Sequence, residues 1–101
     1  MVCYNVTIKI DPKIETEWLK WQMDEHIPEV MSTGLFTEFK FFKLLEQDES
    51  EGVTYVVQYF SNSMENFNRY IHQHAEGLRE KANVKWKQQF IAFRTVMRLV
   101  N

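Results

Sequence analysis

The first ten residues alternate. Val2, Tyr4, Val6, Ile8 and Ile10 stand between Cys3, Asn5, Thr7 and Lys9, the two-residue period of a strand with one buried face. Asp11-Pro12 then reads as a helix start, with Asp capping free amides and Pro at the first helical position. At about 100° per residue, Ile14, Trp18 and Trp21 share one side, and Leu19 and Met23 widen the stripe. Thr16, Glu17, Lys20 and Asp24 take the back. Pro28 disfavours helical geometry at Ile27, so the helix is expected to kink or end there. A short second piece, Pro28 to Thr33, then stops at Gly34.

Leu35 to Leu45, rich in Phe and free of breakers, reads as a long strand. The acidic stretch EQDESEG leads into a third strand, Val53 to Phe60, and so short a polar connection makes the two a hairpin. Ser61 or Ser63 caps a second helix with a stripe of Met64, Phe67, Ile71, Ala75, Leu78 and Ala82, and Tyr70 and His74 on its edge. Phe90 to Val100 forms the last strand.

The order β-α-β-β-α-β predicts an α+β fold: a ferredoxin-like sandwich with an antiparallel sheet and both helices on one face. The other face must then be explained. Phe36 and Phe42 oppose Phe39 and Phe41 along the second strand, and Ile91, Phe93, Met97 and Leu99 oppose Phe90, Ala92 and Val96 along the fourth. A sheet with one wet face should alternate cleanly, and only the first strand does. An exposed apolar area of that extent marks an interface, so a homodimer packed sheet against sheet is expected.

Composition narrows the function classes. A chain of 101 residues makes one domain, residues 1–101. The 26% charged content, and the lack of an apolar run near ~18 residues, argue against a spanning helix. A net charge of -2 with no basic block gives no footprint for nucleic acid or an anionic membrane. The lone Cys3 has no disulfide partner and reads as a small apolar strand residue in a reducing compartment. MVCYNVTIKI has the pattern of a strand rather than a signal peptide, so a cytoplasmic location is expected. RNA-recognition domains share the topology, but the stretch Glu51 to Gln58 lacks their basic residue and two of three stacking aromatics.

Several side chains are candidates for chemistry. His26 falls within the apolar arc of the first helix, which also holds Gln22 and Glu25. It suits a proton shuttle or a donor to a ligand in the helix–sheet gap, oriented by Glu25 or Glu29; a helix C-terminal cap is the plain alternative. His72 and His74 lie about 200° apart on a helix and cannot chelate one ion, so no metal site is expected. Arg94 and Arg98 share a strand face with Ala92 and Val96, and either pair with a carboxylate such as Glu38 or meet an anionic ligand. Tyr55 and Tyr59 share a face of the third strand, where they fix the core or line a pocket. Glycine-rich phosphate loops, nucleophile elbows and CxxC motifs are absent, and no cofactor is expected.

The run EWLKWQMDEHIPEVMSTGLF (Glu17 to Phe36), with YNVTIKID before it and VTYVVQYF and FRTVMRLV after, resembles a small bacterial family of unknown function. That family looks like a branch of the dimeric α+β-barrel superfamily. The resemblance covers nearly the whole chain and implies a ferredoxin-like protomer, dimerisation through the sheets and a cavity between sheet and helices. Superfamily relatives include cofactor-free monooxygenases, small isomerases, haem-degrading enzymes and ligand-sensing domains, many with a His at the place of His26. The leading expectation is a homodimer holding a small apolar or aromatic ligand, with Trp18, Trp21, Tyr55 and Tyr59 as walls and His26 and Arg94 as polar contacts. The alternatives are a cofactor-independent monooxygenase or isomerase using His26 as acid/base, and an assembly module without ligand.

Overall fold

The computed structural model describes residues 1–101. Strand β1, Val2–Ile10, is followed by a 3-10 turn at Pro12–Ile14 and helix α1, Glu15–Trp21. A π-helical segment, Gln22–His26, joins α1 to α2, Ile27–Ser32. Strands β2, Glu38–Lys43, and β3, Val53–Ser61, come next. Helix α3, Met64–Tyr70, a second π-helical segment, Ile71–Ala75, and α4, Glu76–Trp86, lead to β4, Phe90–Arg98. The four strands form one sheet in the order β2-β3-β1-β4 with every neighbouring pair antiparallel. This is the expected ferredoxin-like α+β arrangement.

Register explains which residues meet. Val2, Tyr4, Val6, Ile8 and Ile10 stand opposite Ser61, Tyr59, Val57, Tyr55 and Val53 of β3. On the other side they stand opposite Arg98, Val96, Arg94, Ala92 and Phe90 of β4. Directly paired residues point the same way, so these three rows share the face that the helices cover. Trp18, Ile27 and Val30 from the first helical layer, and Phe67, Tyr70 and Ala75 from the second, complete that core. Trp18 is 1% exposed.

Local chemistry sets the helix ends. Asp11 accepts from the Lys13 amide, as its place before Pro12 predicts. Ser63, not Ser61, caps α3, accepting from the Asn66 amide at 3.1 Å. Ser61 is buried instead, its hydroxyl donating to the carbonyls of Leu35 and Ser63. Gly34 ends α2 with φ of 76°, in the left-handed region that glycine reaches without a Cβ penalty.

Four expectations need correction. Pro28 does not break the helix: Ile27 stays helical (φ -60°, ψ -45°) and its amide donates to the Gln22 carbonyl, five residues back. The widened turn lets a residue without an amide hydrogen sit in a continuing helix. The second strand spans only six residues, because Leu35 and Phe36 turn into the core ahead of it. Met23 and Met64, placed on apolar stripes, are 50% and 38% exposed, and Glu25 also faces solvent. Glu38 is no partner for Arg94 or Arg98, since it pairs with Phe60 on the open face while both arginines lie on the helix side.

Truncating Trp18 to Ala should cost about 3–5 kcal/mol, the range for a large aromatic removed from a close-packed core. Urea unfolding followed by far-UV circular dichroism measures it; a loss below about 1 kcal/mol would mean that α1 is not anchored through this ring.

Candidate functional site

Between the two helical layers and the sheet lie two adjoining chambers, with volumes of about 30 and 40 Å³. Each has room for a water molecule or two. Val6 and Ile8 form the floor of both. Gln22, His26, Arg79 and Arg94 line both as well, so these four polar side chains stand between them. Tyr59 and Tyr70 wall the first chamber, and Trp18, Trp21 and Trp86 the second.

Helix geometry brings the polar set together. Gln22 and His26 open and close the first π-helical segment. At about 4.4 residues per turn, residues four apart stay on one side of such a segment. Arg79, Ala82 and Trp86 recur at three- and four-residue spacing along α4, which aims all three at the same gap. Arg94 comes from β4 opposite Val6.

The His26 ring stacks on Trp21, with centroids 4.7 Å apart and planes 21° apart. Trp86 meets Trp21 edge-on at 5.8 Å. Burial is the main reason the His26 pKa falls from 6.5 to about 4; nearby Glu29 opposes the fall, and Arg94 and Lys81 add to it. The ring is therefore neutral at physiological pH. Burial likewise pushes the phenols of Tyr59 and Tyr70 above their ordinary value, so both stay protonated.

Three buried polar atoms here have no hydrogen-bond partner within the protein: Gln22 Oε1, Arg79 Nε and Trp86 Nε1. All three belong to residues of the second chamber. Arg79 spends one other nitrogen, Nη2, on the Tyr4 hydroxyl at 2.9 Å. Buried polar groups are nearly always satisfied by protein or ordered water, and three without a protein partner in a single gap distinguish it from the rest of the core.

The candidates named from sequence divide. Trp18, Trp21, His26, Tyr59 and Arg94 line one chamber or both. Tyr55 lines neither. It packs on Trp18 at 5.2 Å and donates a 2.5 Å hydrogen bond to Glu15, which also pairs with Lys43 at 3.4 Å. The Tyr55 hydrogen bond is the main reason the Glu15 pKa is lowered. Glu29 pairs with Lys81 at 2.7 Å and orients no histidine through a hydrogen bond. His72 is exposed and His74 stacks near Tyr70, and no group of three or more His, Cys, Asp or Glu side chains lies together. Arg79 and Trp86 were missed, although their spacing with Ala82 was readable.

The strand order and the helical layer define a ferredoxin-like α+β protein. The chain belongs to DUF4286, a domain of unknown function, which matches residues 1–100. No curated protein matches it. Among solved structures it is similar to an ethyl tert-butyl ether D (EthD) family protein from Bacillus halodurans, at 10% identity and a TM-score of 0.70 over 99% of this chain and 100% of that one. It is also similar to a dimeric ferredoxin-like protein from an uncultured marine organism, at 15% identity and a TM-score of 0.67 over 100% and 96% of the two chains. A third likeness is to a mutant form of SnoaB, a cofactor-independent oxygenase from Streptomyces nogalater. Identity there is 11% and the TM-score 0.64, over 99% and 94%. At these identities the likeness is one of fold. No helix is long and apolar enough to cross a membrane.

The His26 environment predicts a pH dependence. An unfolded His26 takes a proton near pH 6.5 and the folded one only near 4, so protonation favours the unfolded chain. Its contribution to stability is complete above pH 6.5 and is lost as pH falls towards 4, at up to about 1.4 kcal/mol per unit. Urea midpoints measured across this range should fall less steeply in His26→Gln than in the natural protein; equal slopes would show that His26 titrates normally.

Proposed function

We propose that this chain acts as a homodimer, joined through its open sheet faces, that holds a small apolar or aromatic ligand between helices and sheet in each protomer. The observation that carries the ligand reading is the convergence of Gln22 Oε1, Arg79 Nε and Trp86 Nε1, unpaired and buried, on a chamber otherwise walled by rings and aliphatic side chains. Small-molecule sites have this composition: apolar walls with a few polar groups that fix orientation. An assembly module without ligand would also bury Trp18 and Trp21, as here, and would leave water alone to meet the three polar groups. The chambers are small in the closed protein. Arg94 projects from an exposed edge strand, so its movement is the simplest way to enlarge them.

The dimer reading rests on the open sheet face. Ile91, Phe93 and Met97 of β4, Leu99 just beyond it and Phe42 of β2 lie on the side away from the helices, 43% to 65% exposed. A run of apolar side chains on one face is the usual mark of a protein interface, and one structural neighbour is described as dimeric.

A second reading makes His26 an acid/base in a cofactor-independent oxygenase or isomerase. It is favoured by a neutral imidazole that faces both chambers, and by the likeness to SnoaB, a cofactor-independent oxygenase. A pKa near 4 makes a weak base at neutral pH, whereas efficient general bases titrate near their working pH. An anion bound alongside would raise it, so a substrate that becomes negative during reaction suits this site better than a neutral one.

Two measurements test the proposal. Phe93→Glu should convert a dimer to a folded monomer in sedimentation velocity, and a natural protein that sediments as a monomer would end the dimer reading. Native mass spectrometry of gently purified protein should show a retained small-molecule mass that Gln22→Leu reduces. If no such mass appears, and no member of a panel of small aromatic compounds raises the melting temperature, the ligand reading falls.

A further inference from the structure

The charge balance of the two chambers points beyond a merely apolar ligand. Arg79 and Arg94 both line the gap, and neither forms an ion pair; all four salt bridges of the protein lie elsewhere. No carboxylate lines either chamber. The nearest acidic neighbour of His26, Glu29, is taken up by Lys81. A chain of net charge -2 thus places two guanidinium groups, neither in an ion pair, along the lining of one gap. Arg79 is partly buried, and leaving such a cation without an ion-pair partner is costly unless something else supplies the negative charge; Arg94, exposed, adds a second positive charge beside it.

The unused hydrogen-bonding atoms have a matching sense. Arg79 Nε and Trp86 Nε1 are donors with no acceptor within the protein. Gln22 is 2% exposed, and its unpartnered amide presents a donor instead of an acceptor when turned over, since its two ends have the same shape. Neutral His26 and the protonated hydroxyl of Tyr70 complete a lining with no fixed negative charge. The remaining walls, Trp21, Trp86 and Ile8, are flat or aliphatic and offer an organic body more than a hydrated inorganic ion.

We infer that the ligand is a small organic carboxylate, its carboxyl group held by Arg79, Arg94 and the Trp86 N–H, and its apolar or aromatic body against Trp21. This rests on the ligand-binding reading above and specifies its chemistry. A carboxylate matches the planar fork of a guanidinium and forms charge-assisted bonds of roughly twice the strength of neutral ones. It also brings a negative charge within reach of both arginines, which an alcohol or amide cannot do.

Benzoate and its neutral isostere benzamide separate the carboxylate assignment from the existence of a ligand site. Titrated calorimetrically into the natural protein at constant ionic strength, benzoate should bind at least about tenfold more tightly than benzamide, the preference worth one charge-assisted contact. Arg94→Gln, at an exposed position where folding is least at risk, should reduce that preference to about twofold, and Arg79→Gln should do the same. Benzoate should also raise the His26 pKa from about 4, read by imidazole NMR, while benzamide leaves it in place. Equal binding of the two compounds, or a preference unchanged in both variants, would overturn the carboxylate assignment and leave the ligand site standing. If neither compound binds or shifts His26, the carboxylate assignment falls and the ligand-binding reading loses its support as well.

Discussion

Strand β1 is the constraint on which the rest depends. All nine of its residues are paired on both sides, with β3 along one edge and β4 along the other. A shift of one residue in either pairing would turn every side chain to the wrong face. Because Tyr4, Ile8 and Ile10 must be buried, the register of the whole sheet follows from one run of alternating residues. The same alternation gives the chambers their aliphatic floor at Val6 and Ile8, and sets Arg94 opposite Val6 and so beneath the helices.

This accounts for what was legible in the sequence. β1 alternates cleanly, so the helix-covered face followed from its two-residue period, and the short polar link between β2 and β3 gave the hairpin. The helices were less legible because neither is a plain α-helix. Both carry a five-residue π-helical segment, Gln22–His26 and Ile71–Ala75, and a fixed angle per residue accumulates error across such a turn. That error placed Met23 inward and gave Glu25 a buried role that the structure does not. Pro28 was expected to kink or end the helix because a proline in an α-helix collides with the preceding turn; the wider turn before it lets the helix continue. Tyr55 misled in another way. Strand alternation fixes the side on which a residue lies, and not whether its hydroxyl ends at the gap or at Glu15.

The polar residues of the gap were half visible. His26 stood out as a lone imidazole among apolar neighbours, and Arg94 as a charge within an apolar strand. Arg79 and Trp86 sit in a stretch dense with lysine and glutamate, where composition conceals the shared face. Their partnership with Gln22 is a tertiary fact, made by α4 crossing over the sheet beside the first helical layer. Burial without pairing also explains the electrostatics of the gap. His26 loses its proton affinity mainly because water is excluded, and Arg94 adds to the loss from across the chamber.

The open sheet face carries a feature with a different consequence. Its midline is polar: Asn5 accepts from the Gln58 amide at 3.2 Å and donates to Thr7 at 3.3 Å, with the exposed rings and aliphatic chains of β4 and β2 to either side. Two surfaces of rings alone would adhere at many relative angles with little to choose between them. A band of amides and hydroxyls across the middle penalises every alignment that seals one of them against hydrocarbon. In a pair of such sheets the apolar flanks would supply adhesion, and the polar band would act as a key that admits few orientations.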